Sequence, residues 1–135
     1  MGSKREGQLS VDLYDGAYGP TLRIATRSED ALLLLRDLFK MLADQTKDVI
    51  DLHDEERVVL QRRMSVFLRI SPEGEENKIN ATVDEVEARI SWWEPPSEWR
   101  DCQDMIEVLL RGGNPGHQYF GSDYDPIIVE VSYRE

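Results

Sequence analysis

The chain has 135 residues, 32% of them charged and 40% hydrophobic, which suits one domain with a real core and argues against intrinsic disorder. Sixteen basic against twenty-seven acidic residues leave a net charge of −11, so nucleic acid and anionic membrane surfaces are poor partners. One cysteine excludes a disulfide framework and a multi-cysteine zinc site. No apolar run approaches the roughly 18–20 residues that span a bilayer, and without a signal-peptide core the expected compartment is the cytoplasm.

The polar segment 1–7 is expected to be a disordered tail and 8–135 a single α+β domain. From Gln8, Leu9, Val11 and Leu13 alternate with Ser10 and Asp12, the pattern of a half-buried strand. Asp15-Gly16 and Gly19-Pro20 mark a turn, and Leu22 and Ile24 give a second strand, making a hairpin. Ser28 then reads as the N-cap of a first helix running to about Asp44. Its apolar residues cover an arc of about 200°, wider than one sheet face needs. That predicts a helix buried on two sides or contributing to a homodimer interface.

A short strand is expected at Val49–Leu52, a polar break at 54–56, and a further apolar stretch at Val58–Leu60. Met64 to Ile70 alternates clearly, and Pro72–Asn77 reads as a charged hairpin loop. Lys78–Val83 is ambiguous, whereas Val86, Ala88, Ile90 and Trp92 alternate with polar residues as a strand ended by Pro95-Pro96. Ser97 is expected to cap a second helix to about Arg111, with a narrower apolar arc of about 140° through Trp99, Cys102, Ile106 and Leu109. Gly112-Gly113 stops it, followed by a short strand at His117–Phe120 and a last one at Ile127–Tyr133.

The fold class is therefore α+β: a mostly antiparallel sheet with two helices packed on one face. The halves resemble one another, Leu22-Arg23-Ile24 before the first helix matching Ala88-Arg89-Ile90 before the second, which points to a ββαβ duplication. Charge is uneven. Residues 1–47 are neutral overall, whereas 48–94 carry net −6 and 95–135 net −5.

Few residues are placed for chemistry. Asp51, His53, Asp54, Glu55 and Glu56 are metal-ligand types, but their spacing matches no standard binding loop, so a solvated turn and no metal are expected. The glycine-rich 112–116 segment follows a helix, which is the wrong dipole end for a phosphate. His117 could form an acid–base pair with Asp123 or Asp125, although no nucleophile accompanies it. Cys102 sits on an apolar arc, where a thiol is inert. Trp92 and Trp99 belong to the core, while Trp93 falls on the opposite strand face beside Arg89 and Ser91, either covered or an exposed anchor. Glu98, Asp101, Asp104 and Glu107 lie off the apolar arc of the second helix and form the candidate partner-binding face.

The GHQY segment 116–119, the terminal strand VEVSYRE and the LYDGAYGPTLRI hairpin resemble a group of small bacterial proteins to which no activity is attached, so no residue role carries over. In size, charge and architecture the chain is also similar to immunity proteins of bacterial toxin systems, an analogy of fold class alone. Together these features predict a non-catalytic domain, immunity-like, that docks a basic protein through acidic surface and uses no cofactor. The alternative is a small metal- or His-dependent enzyme built on His53 or His117.

Overall fold

The computed structural model describes residues 7–73, 78–122 and 124–135. Within them the elements are β1 (Leu9–Gly16), β2 (Gly19–Thr26), α1 (Glu29–Ala43), β3 (Val49–Asp51), β4 (Val58–Leu60), β5 (Met64–Ile70), β6 (Lys78–Val83), β7 (Ala88–Glu94), α2 (Pro96–Gly112), β8 (Gly116–Phe120) and β9 (Ile128–Tyr133). Residues 1–6 and most of the expected loop at 72–77 lie outside the described set. Gly7, expected in the tail, is buried, and its carbonyl accepts from Arg57 Nε at 2.6 Å.

The α+β class holds, but the strands form two sheets rather than one. Sheet A runs β4-β1-β2-β9-β8 and sheet B runs β3-β5-β7-β6. Both are mixed: β1–β4, β2–β9 and β5–β7 pair in parallel, and the other pairs are antiparallel. The helices pack on each other and on the inward faces of both sheets. Phe39 of α1 touches Trp92 of β7, Phe120 of β8 and Trp99 of α2, so one aromatic cluster joins both sheets and both helices. The wide apolar arc of α1 is thereby used within the chain. Ala31, Leu32, Leu35, Leu38, Phe39 and Leu42 are buried.

The predicted duplication is present in a longer form, ββαββ. The series β1-β2-α1-β3-β5 recurs as β6-β7-α2-β8-β9, and a constant shift of 68 residues relates the parts up to β3 and β8. Thr26 corresponds to Glu94: each ends the strand before a helix, and each carbonyl accepts the same added ladder bond, from Arg134 N–H at 2.9 Å and from Ser71 N–H at 3.0 Å. The left-handed residues after the helices also correspond, Gln45 (φ 61°) and Gly113 (φ 65°). In this register Leu22 matches Ile90, not the Ala88 suggested by local sequence likeness. The halves exchange hairpins. Sheet A combines β1-β2 with β9-β8, and sheet B combines β6-β7 with β5-β3 in the same order. The β4 strand is an addition peculiar to the first half.

Two local expectations need correction, and one open stretch is resolved. Val86 is not in a strand but in the β6–β7 turn, 65% exposed, where the Asp84 carboxylate accepts from the N–H groups of Val86 and Glu87 at 2.7 and 2.8 Å. This side-chain–backbone capture outcompetes strand pairing and starts β7 at Ala88. The ambiguous 78–83 stretch becomes β6 because β7 offers it an antiparallel ladder. Ser97 does not cap α2. The helix begins at Pro96, whose missing N–H costs nothing in the first turn, and Ser97 N–H and Oγ instead donate to Glu73 at 3.0 and 2.9 Å. Among the described residues no helix is long and apolar enough to cross a membrane.

Candidate interaction surfaces

The acidic residues of α2 do not form one stripe. At about 100° per residue, Asp101 and Asp104 stand opposite the buried Trp99, Cys102, Ile106 and Leu109, and both are exposed. Glu98 is exposed in the first turn. Glu107 is half-buried in a groove between the helices, lined with Arg36, Leu110 and Arg111, so it leaves the candidate face. Glu73, held on Ser97, brings another exposed carboxylate to the N-terminal end of α2. Among the described residues Glu98, Asp101 and Asp104 make no ion pair, whereas Arg100 is drawn away to Asp44.

His53 and His117 stay apart, flanking or occupying the edge strands of different sheets. His53 follows β3 in a 3₁₀ turn (Leu52–Asp54), and Val66 N–H donates to its Nδ1 at 3.0 Å. The Val66 carbonyl lies 3.2 Å from the same Nδ1, and Nε2 lies 3.9 Å from Asp54 Oδ2. Ligand atoms of Asp51, His53 and Asp54 do lie within 4.8 Å of one another. His117 does not pair with Asp125. Its Nδ1 lies 2.8 Å from Glu135 Oε2. Asp125 staples a loop, accepting from Ile79 N–H (3.1 Å) and Ser122 N–H (2.9 Å), and Asp123 lies outside the described residues.

A buried, multiply bonded carboxylate was missed by sequence reading. Glu130 sits in β9 on the outward face of sheet A, yet is only 5% exposed. It accepts from the Tyr14 and Ser132 hydroxyls, and Arg23 Nε lies 3.4 Å from its Oε2. Burial alone would raise the Glu130 carboxyl, but the bonds from Ser132 and Tyr14 and the charges of Arg23 and His117 outweigh it and hold it low. The same bond pushes Tyr14 up to about 12, with burial and the Glu130 charge adding to the effect. Nothing local in VEVSY marks this glutamate as buried. Register alone sets Asp12, Arg23, Glu130 and Tyr119 side by side across four strands.

The neighbouring row on the same face is Val59–Ser10–Ala25–Ser132–His117. Its small central residues floor an open trough of about 660 Å³, within the size range of ligand pockets and bounded by Gln8, Gln61, Arg27 and Glu135. In sheet B the corresponding row is Lys78–Trp93–Arg69–Val49. There Trp93 and Arg69 stand where Ala25 and Ser132 leave space. Trp93 does lie on the outward face, as expected, but half-covered by the Arg69 guanidinium 5.2 Å above its ring.

The chain matches no family model, no curated protein and no solved structure.

Cys102 is buried against Glu94, its Sγ 3.7 Å from Oε2, and burial pushes its thiol well above the usual range. Glu94 is 2% exposed and also accepts from Trp92 Nε1 at 2.8 Å. This pair sits in the core beside the aromatic cluster.

Proposed function

We propose that the chain is a non-catalytic protein-binding domain, immunity-like in kind, that docks a basic partner through the acidic surface of α2. The observation that carries this is the set of three exposed carboxylates, Glu98, Asp101 and Asp104, with no cation paired to them among the described residues. Charge left unpaired on a rigid helix steers an oppositely charged surface without costing fold stability elsewhere. Several of the groups that acid–base or nucleophilic chemistry would need are otherwise engaged, the exposed His117–Glu135 pair excepted. His53 Nδ1 is held by Val66, Glu130 by Tyr14 and Ser132, and Cys102 is buried. That favours binding over the enzyme alternative.

The test is association kinetics with a partner recovered by native pull-down, at two ionic strengths, for the chain and for the double variant Asp101→Lys/Asp104→Lys. Steering is screened once the Debye length drops below about 10 Å. Association of the variant should be several-fold slower at low salt and nearly unchanged at high salt, with the circular dichroism unaltered. Rates indifferent to the reversal at both salts would remove α2 from the interface.

A further inference from the structure

We infer that the outward face of sheet B is a second docking surface, shaped for an acidic segment of a protein partner, whose carboxylates Arg69 and Arg89 would grip. The face lies on the opposite side of sheet B from α2, since Trp92 points inward to Trp99 and its neighbour Trp93 points out. It is therefore independent of the α2 surface.

Its chemistry runs against the net charge of the chain. Lys78, Trp93 and Arg69 form one row across β6, β7 and β5. Phe67 lies in the next row and Arg89 in the one after. The Arg69 guanidinium lies 4.8 Å from the Phe67 ring centre and 5.2 Å from that of Trp93, and Arg89 lies 5.4 Å from Phe67. None of the three cations has an ion pair among the described residues. At its β3 edge stand the carboxylates of Asp51 and Asp54, within 4.8 Å of one another, and the His53 ring, 5.0 Å from that of Phe67; neither carboxylate pairs with these cations.

The stacking decides what this face can hold. A guanidinium laid over an aromatic ring is partly desolvated and fixed in its plane, while its edge N–H groups stay free for forked bonds to a carboxylate. Arg69 Nε itself is buried and has no acceptor among the described residues, which leaves recognition to the rest of the guanidinium. Because guanidinium groups occupy the rings, a nucleic-acid base finds no free ring face on which to stack, the usual source of sheet affinity for single strands. A long polyanion would also meet the remaining acidic surface of a chain with net charge −11. A short acidic peptide segment meets neither obstacle.

The probe is a fluorescein-labelled Glu-rich peptide of about twelve residues, long enough when extended to cross the sheet. Anisotropy titration at low and physiological salt should show salt-sensitive binding. The double variant Arg69→Gln/Arg89→Gln should weaken it at least about tenfold, as expected for losing two charge-assisted contacts. Asp101→Lys/Asp104→Lys, on the other side, should not weaken it. Arg89→Gln alone, at an exposed position, keeps the test valid if the double variant fails to fold. Three results overturn the proposal. One is peptide binding indifferent to these arginines. Another is tighter, arginine-dependent binding of a single-stranded RNA of equal charge. The last is no peptide binding alongside arginine-dependent self-association, which would make a second copy the occupant.

Discussion

Tyr14 and Glu130 show how much a single residue depends on its register. Tyr14 is 39% exposed and sits near the end of a hairpin strand, a position that predicts little. Its hydroxyl nonetheless donates to a carboxylate 116 residues away. Because the folded-state pKa of Tyr14 lies above the ordinary tyrosine value, the fold favours the neutral phenol. The stabilisation is complete below about pH 10 and is lost as pH rises through about 12. Glu130 has the opposite sign. Its lowered pKa contributes stability above the ordinary glutamate range that is lost on acidification. Tyr14→Phe should therefore cost about 1 kcal/mol at pH 7, a figure reduced for the exposure of the ring. It should also lessen the loss of stability between about pH 10 and 12. Urea melts of both proteins at pH 7, 10 and 11.5 check this, and a difference independent of pH would detach Tyr14 from the glutamate.

At the scale of elements, local signals succeed where the chain satisfies its own backbone groups. Ser28 caps α1 by accepting from Ala31 N–H at 3.3 Å, and Glu29 and Asp30 follow in the first turn, as expected. The second helix breaks the rule because a distant glutamate, Glu73, takes the serine that would have capped it. The apolar arc of α1 makes the firmest energetic prediction. Leu35 is fully buried in the core, and Leu35→Ala should cost about 2–5 kcal/mol in a urea melt. A loss below about 0.5 kcal/mol would mean that α1 does not pack as described. Gln45 shows the cost of a conserved shape without a conserved residue. It holds the left-handed position that Gly113 fills in the other half, where a side chain is disfavoured.

The whole molecule is two interlocked ββαββ units, and neither owns a complete sheet. Sheet A takes β1, β2 and β4 from the first half and β8 and β9 from the second, and sheet B is divided the same way. Each unit alone would expose the strand edges and core faces that its counterpart covers, including Val11, Ile24, Val66 and Ile90, all fully buried. Fragments 1–73 and 74–135 should therefore be largely unfolded when separate and should regain the native circular dichroism only when mixed in equal amounts. A first fragment that folds alone as a monomer would show that the exchange of hairpins is not required. The same topology gathers charge. Residues 48–94 sum to −6, yet Arg69, Lys78 and Arg89 from that segment meet on one sheet face because β5, β6 and β7 are neighbours.

By itself the sequence determined whatever depends on neighbours along the chain. Period-two alternation marked most of the strands and period-three-to-four apolar arcs both helices, Ser28 and Gly112-Gly113 marked two helix ends, and the outward placement of Trp93, Asp101 and Asp104 followed from the same periodicities. Only the tertiary structure decided what depends on which strands lie side by side. The division into two sheets, the 68-residue correspondence with its near-absence of matching side chains, the burial of Glu130 and the stacked arginines of sheet B all follow from pairings between β2 and β9 and between β5 and β7. The physical reason is that alternation states which residues share a face of one strand and carries no information about the partner strand. A parallel pairing between segments more than a hundred residues apart, such as Arg23 beside Glu130, is selected by the packing of the shared core rather than by any local preference.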